Sequence, residues 1–112
     1  MSLTLLLRCN DLHATRHFYR SVLGFEVRDT AEGTLTVEKF GATMVFTSQD
    51  LWHGAPGCTG TIYFETPDID SYYASVRDQV AVSWPLQVMS YGSREFGVVE
   101  CNGYMLAFKQ RQ

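Results

Sequence analysis

Apolar and polar residues alternate at the start of the chain. Leu3, Leu5, Leu7 and Cys9 fall on one side of an extended segment, and Thr4, Leu6 and Arg8 fall on the other. That period of two marks a strand. The period then changes. Asp11 offers a side-chain oxygen to the free N–H groups of a helix beginning at Leu12. Ala14, Phe18 and Val22 recur at spacing four along it and predict its apolar stripe. The helix is expected to stop near Leu23, with Gly24 supplying the left-handed residue that ends it. Residues 25–29, 34–40 and 42–47 read as three more strands, with turns at Glu32-Gly33 and Gly41.

The second half repeats this order. Residues 61–66 alternate, with Ile62 and Phe64 on one face and Thr61, Tyr63 and Glu65 on the other. Asp68 follows Pro67 as the next N-cap, and Ile69, Tyr72, Tyr73 and Val76 form the apolar side of a helix ending near Asp78. Short strands are expected around 80–83 and over 95–100, a hairpin turn at Asn102-Gly103, and a last strand over 104–109. Asp11 and Asp68 each stand seven residues after a strand-opening threonine, and Gly41-Ala-Thr-Met-Val-Phe46 matches Gly103-Tyr-Met-Leu-Ala-Phe108. The pattern predicts one domain over residues 1–112, built from modules 1–47 and 60–112. A linker over 48–59 (SQDLWHGAPGCT) lacks periodicity and carries Gly and Pro.

Composition narrows the function classes. The chain has 112 residues, 46% of them hydrophobic and 19% charged, enough apolar content for a packed core. A net charge of -3 with no Lys/Arg cluster argues against nucleic acid as a partner. The apolar run near the N-terminus is too short for a membrane span and has neither a basic flank nor a small-residue cleavage site. No membrane partner is expected, and the cytoplasm is the expected location. Cys9, Cys58 and Cys101 are odd in number and widely spaced, so reduced thiols are expected.

Few motifs carry chemistry. His13 and His17 share a side of the first helix at spacing four, which suits a metal, but no third ligand accompanies them. His53 has no evident partner. No nucleophile elbow, phosphate loop or HExxH pattern is present, so nucleophilic catalysis has no support in the sequence.

Asp11-Leu12, Phe18-Tyr19 and Leu23-Gly24-Phe25 resemble the opening helix of the vicinal oxygen chelate superfamily of glyoxalases, extradiol dioxygenases, fosfomycin-modifying enzymes and bleomycin-resistance proteins. Tyr91-Gly-Ser-Arg-Glu-Phe96, Glu100-Cys-Asn-Gly103 and Leu106-Ala-Phe108 resemble its closing hairpin. The resemblance implies an α+β fold of two tandem βαβββ modules, eight strands curling into a half-barrel with the helices outside. It also implies metal-ligand positions at Thr4, Val45, Thr61 and Ala107. Divalent ions need imidazole nitrogen or carboxylate oxygen at such places, so no metal and no cofactor is expected. The bleomycin-resistance branch, which the Arg94-Glu95-Phe96 segment resembles more than it does glyoxalase proper, lacks that ligand set too. Its members are dimers that sequester a drug. The closing turn, Glu100-Cys101-Asn102-Gly103, departs from the superfamily's usual Asp-Pro-Asp-Gly.

If those four positions face a concavity, period two adds Leu6, Arg8, Thr43, Thr47, Tyr63, Glu65, Met105 and Lys109 to the same surface. Such a lining suits a flat or hydrophobic ligand. The expected ligand-binding residues are Phe40, Val45, Trp52, Thr61, Tyr63, Glu65, Tyr91, Met105 and Ala107, with Trp84 as a further wall. Glu65 is the first choice for recognising a cationic group. The function expected is non-catalytic binding of a small, partly aromatic molecule by a homodimer, as in antibiotic sequestration. The alternatives are a lyase, isomerase or dioxygenase of the same superfamily, and a sensing or interaction domain whose concavity its own side chains fill.

Overall fold

The computed structural model describes residues 3–31 and 33–112; Glu32, half of one expected turn, lies outside the described residues. The chain divides into two compact units, Met1–Gly57 and Cys58–Gln112. The first holds β1 (Thr4–Arg8), α1 (Leu12–His17), a π-helical turn (Phe18–Val22), β2 (Glu26–Asp29), β3 (Thr34–Lys39) and β4 (Ala42–Thr47). The second holds β5 (Thr61–Thr66), α2 (Ile69–Val76), β6 (Ala81–Val88), β7 (Arg94–Val99) and β8 (Met105–Gln110). Each unit is thus βαβββ, and the fold is α+β with eight strands in two open, mixed four-stranded sheets.

Strand order is β1-β4-β3-β2 in one sheet and β5-β8-β7-β6 in the other. In both, the first strand pairs parallel with the last, and the remaining pairings are antiparallel. The parallel pairing follows from the crossover helix, which returns the chain to the same end of the sheet.

In the first unit, Asp11 caps α1 by accepting the Ala14 N–H at 3.0 Å. The expected stripe of Ala14, Phe18 and Val22 is displaced by one residue: Ala14 is exposed, whereas Thr15, Tyr19 and Leu23 are fully buried. Both sets recur at spacing four, so periodicity did not separate them; the bulkier Tyr19 and Leu23 take the core. The last turn widens to a π-helix, with Leu23 N–H donating to Phe18 O at 3.0 Å. Gly24, at φ 75°, then reverses the chain so that Phe25 N–H reaches Tyr19 O at 2.7 Å. The Tyr19 ring lies 5.1 Å from both Phe25 and Phe46, and Leu35, Val37, Met44 and Cys9 complete the core. Full burial of each such side chain contributes about 1.5–3 kcal/mol.

In the second unit, Asp68 caps α2, accepting the Ser71 N–H at 3.2 Å and its hydroxyl at 2.8 Å. The helix lays Tyr72 and Tyr73 on one sheet face. Tyr72 is 4.9 Å from Phe108, Tyr73 is 4.8 Å from Phe96, and Phe108 stacks on Phe64 and Phe96 at 5.1 and 5.3 Å. The helix ends at Val76, two residues before the expected Asp78. The strand expected around 80–83 runs instead to Val88. Pro85 lacks an amide donor, which reads as a break; here it lies on edge strand β6, where the register with β7 shifts between Trp84 and Gln87. Register shifts flank Trp84 on this strand. No helix among the described residues is long and apolar enough to cross a membrane.

Candidate functional site

Alternation sorts the second sheet into two faces. Phe64, Phe96, Val98, Leu106 and Phe108 are buried, and Phe96 and Phe108 pack with α2. Their neighbours in sequence therefore make the opposite face, where strand register aligns three rows. Glu65, Lys109 and Glu95 form one; Tyr63, Ala107 and Gly97 the next; Thr61, Met105 and Val99 the third. Trp84 pairs with Gly97, and its ring lies where a side chain at 97 would stand: a Cβ there would meet it at 2.4 Å.

At the first row the face holds a concavity of about 300 Å³, lined by Tyr63, Glu65, Tyr91, Ser93, Glu95, Lys109, Gln110 and Gln112. Tyr63 and Tyr91 are 47% and 62% exposed, so ring surface is open to solvent. The Tyr91 hydroxyl donates to Glu95 Oε1 at 2.8 Å, and the Tyr63 hydroxyl lies 3.4 Å from it. The hydrogen bond to Tyr63, then that to Glu95 with its charge, push the Tyr91 phenol well above its ordinary range and keep it protonated. Lys109 Nζ lies 5.9 Å from the centroid of the Tyr63 ring, within cation–π reach.

Glu95 is 0% exposed, and its Oε2 has no hydrogen-bond partner among the described residues. A buried acceptor left in that state costs about 1–3 kcal/mol, more when charged. Glu100, also buried, is different: it accepts the backbone N–H of Tyr104 at 3.1 Å and that of Asn102, and so closes the β7–β8 turn. Glu100 is consumed by the fold, while Glu95 is not.

Of the nine residues expected to bind ligand, Tyr63, Glu65 and Tyr91 line this one concavity. Thr61, Met105 and Ala107 share its face in the neighbouring rows, Thr61 exposed and Ala107 fully buried. Phe40, Val45 and Trp52 belong to the first unit. There Phe40 occupies the β3–β4 turn at φ 55°, with Lys39 Nζ 4.7 Å from its ring centroid. Val45 is half-buried opposite Leu6 and Thr36, and Trp52 is 50% exposed. Arg8 donates to Gly54 O and lies 4.0 Å from Asp50. Ser93, Glu95, Gln110 and Gln112 line the concavity and were missed; of these Glu95 carries the charge. Its signal was a carboxylate in step with Gly97 and Val99 along a strand whose alternate residues, Phe96 and Val98, are core.

Thr4, Val45, Thr61 and Ala107 offer two hydroxyls and two alkyl groups, a donor set that does not fit a divalent ion. Among the described residues, no three His, Cys, Asp or Glu side chains are grouped to hold one. His13 and His17 are both exposed on α1.

The family model of the Glyoxalase/Bleomycin resistance protein/Dioxygenase superfamily matches residues 3–108. The chain belongs to that superfamily. Solved structures agree on the fold. A Glyoxalase/bleomycin resistance protein/dioxygenase superfamily member from Sphaerobacter thermophilus DSM 20745 is similar at 20% identity and TM-score 0.80, over 99% of this chain and 97% of that one. A protein of unknown function from Agrobacterium tumefaciens str. C58 gives 18% identity and TM-score 0.80, over 100% and 94%. TioX from Micromonospora sp. ML1 gives 17% and 0.79, over 100% and 99%. No curated protein matches the sequence. Superfamily membership accounts for the repeated βαβββ order and leaves the chemistry to the residues themselves.

Proposed function

We propose that this superfamily member binds a small, partly aromatic or hydrophobic molecule without converting it, as an antibiotic-sequestering protein of the metal-free, bleomycin-resistance-like branch does. It would act as a cytoplasmic homodimer. The observation that carries this reading is the pair of solvent-facing phenol rings, Tyr63 and Tyr91, at a concavity on a face that lacks a chelating set. Ring surface of this kind gains free energy by stacking and by removing apolar area from water. A volume of about 300 Å³ is at the small end for ligand sites, so a larger drug would place only one of its rings there. The remaining expected contacts, Phe40, Val45, Trp52, Thr61, Glu65, Met105 and Ala107, belong to the same proposal.

A thermal-shift screen against glycopeptide, quinomycin-type and other aromatic antibiotics tests it. A true ligand at a hundred times its dissociation constant adds roughly 2.7 kcal/mol of stability. Replacing Tyr63 or Tyr91 by Ala weakens that binding by about 0.5–1.5 kcal/mol each. Stoichiometric binding of Ni, Mn, Fe or Zn, with turnover in glyoxalase or dioxygenase assays, would overturn the proposal in favour of a lyase, isomerase or dioxygenase.

A further inference from the structure

Glu65 and Glu95 flank Lys109 in one cross-strand row, so this end of the concavity carries two carboxyl groups and one ammonium. The two carboxyl groups are not equivalent. Glu65 is exposed and already solvated. Glu95 is fully buried, one oxygen held by Tyr91 and the other without a partner among the described residues. Lys109 does not supply the missing bond; its Nζ stands over the Tyr63 ring. A buried acceptor in this state gains most from a donor that arrives with a ligand, and most of all from a charged one.

We propose that Glu95, not Glu65, anchors a protonated nitrogen of the ligand, and that the preferred ligands are aromatic or apolar cations of the amidinium, guanidinium or ammonium class. The inference rests on the binding function proposed above and names the chemistry recognised at that site. Tyr63 and Tyr91 contribute ring faces, which attract a cation as well as an aromatic body. The Tyr91 hydroxyl occupies Oε1, and Oε2 is buried beside it. Tyr91 sits on the β6–β7 turn, where Met89 N–H donates to Ser93 O and Gly92 N–H to Met89 O, each at 2.8 Å. Its ring is mostly exposed, so a change of rotamer frees Oε1 by breaking hydroxyl contacts and leaves core packing in place.

A charge series with constant shape tests this: benzamidine, benzamide and benzoate, titrated into the full chain by calorimetry or ligand-observed NMR. Benzamidine is expected to bind about tenfold or more tighter than benzamide, and benzoate weakest. Glu95→Gln keeps the volume and the Tyr91 contact, and is expected to abolish the benzamidine preference while leaving benzamide within about twofold. Glu65→Gln is expected to cost less of the preference than Glu95→Gln does. Lys109→Gln, which removes the like charge, tightens benzamidine. The wild-type series stands even if Glu95→Gln fails to fold. Equal affinity for the three probes, a preference for benzoate, transfer of the effect to Glu65→Gln, or no binding of any probe would each overturn the cation anchor. The antibiotic screen reads the sequestration function separately: a neutral aromatic ligand found there, alongside equal probe affinities, sinks this inference and keeps that reading.

Discussion

At Gly97 a single hydrogen in place of a methyl group decides the packing of one sheet face. An added Cβ would stand 2.4–2.5 Å from three carbons of the Trp84 ring, and an indole is too rigid to yield by a small torsion. Gly97→Ala is therefore expected to destabilise the protein by about 1–3 kcal/mol in urea titration. Trp84→Ala vacates the space, so the double variant should lose less than the sum of the two single ones. Additive losses would show that the ring does not restrict residue 97. Glu95 belongs at this scale as well. Its place on the strand was readable from alternation, but its burial and its bond from Tyr91, four residues away, were not. Tyr63 and Glu65 were readable because both lie on one short strand whose other face is plainly apolar.

At the scale of elements, the capping aspartates hold both helices. Two bonds from Ser71, its hydroxyl and its backbone N–H, hold the Asp68 carboxyl below its ordinary value of 3.8. A depressed carboxyl contributes stability above the unfolded value and loses it as pH falls through the folded one. Asp68→Ala should thus lower the urea midpoint near neutral pH, with the gap from wild type closing as pH falls below 3.8. A gap unchanged at about pH 2 would show that the cap acts without its charge. The same caps made the starts of both helices legible in the sequence, at Leu12 and Ile69. The π-helical turn was not legible, because it arises from how Tyr19, Leu23 and Phe25 share the core and leaves no mark in the spacing of residues. Nor was the length of β6, since Pro85 reads as an interruption until the strand is known to lie at an edge.

At the scale of the whole molecule, the repeated βαβββ order was legible because each module repeats its cap, its glycine turn and its closing strand. The homodimer proposed above is checked by sedimentation: the expected species has twice the 12.7 kDa mass of the chain, and a monomer at all concentrations would remove that part of the reading. One consequence of the strand order concerns synthesis. β4 and β8 are made last in their units, yet each sits inside its sheet, between the first strand and the third. A nascent chain that stops before β8 has β5 waiting with no neighbour to bond and β7 with one side open. Neither sheet can zip up progressively from its N-terminal edge. Each must stay unfinished until its final six residues leave the ribosome, and a premature stop within them costs the unit its middle and not merely a fringe.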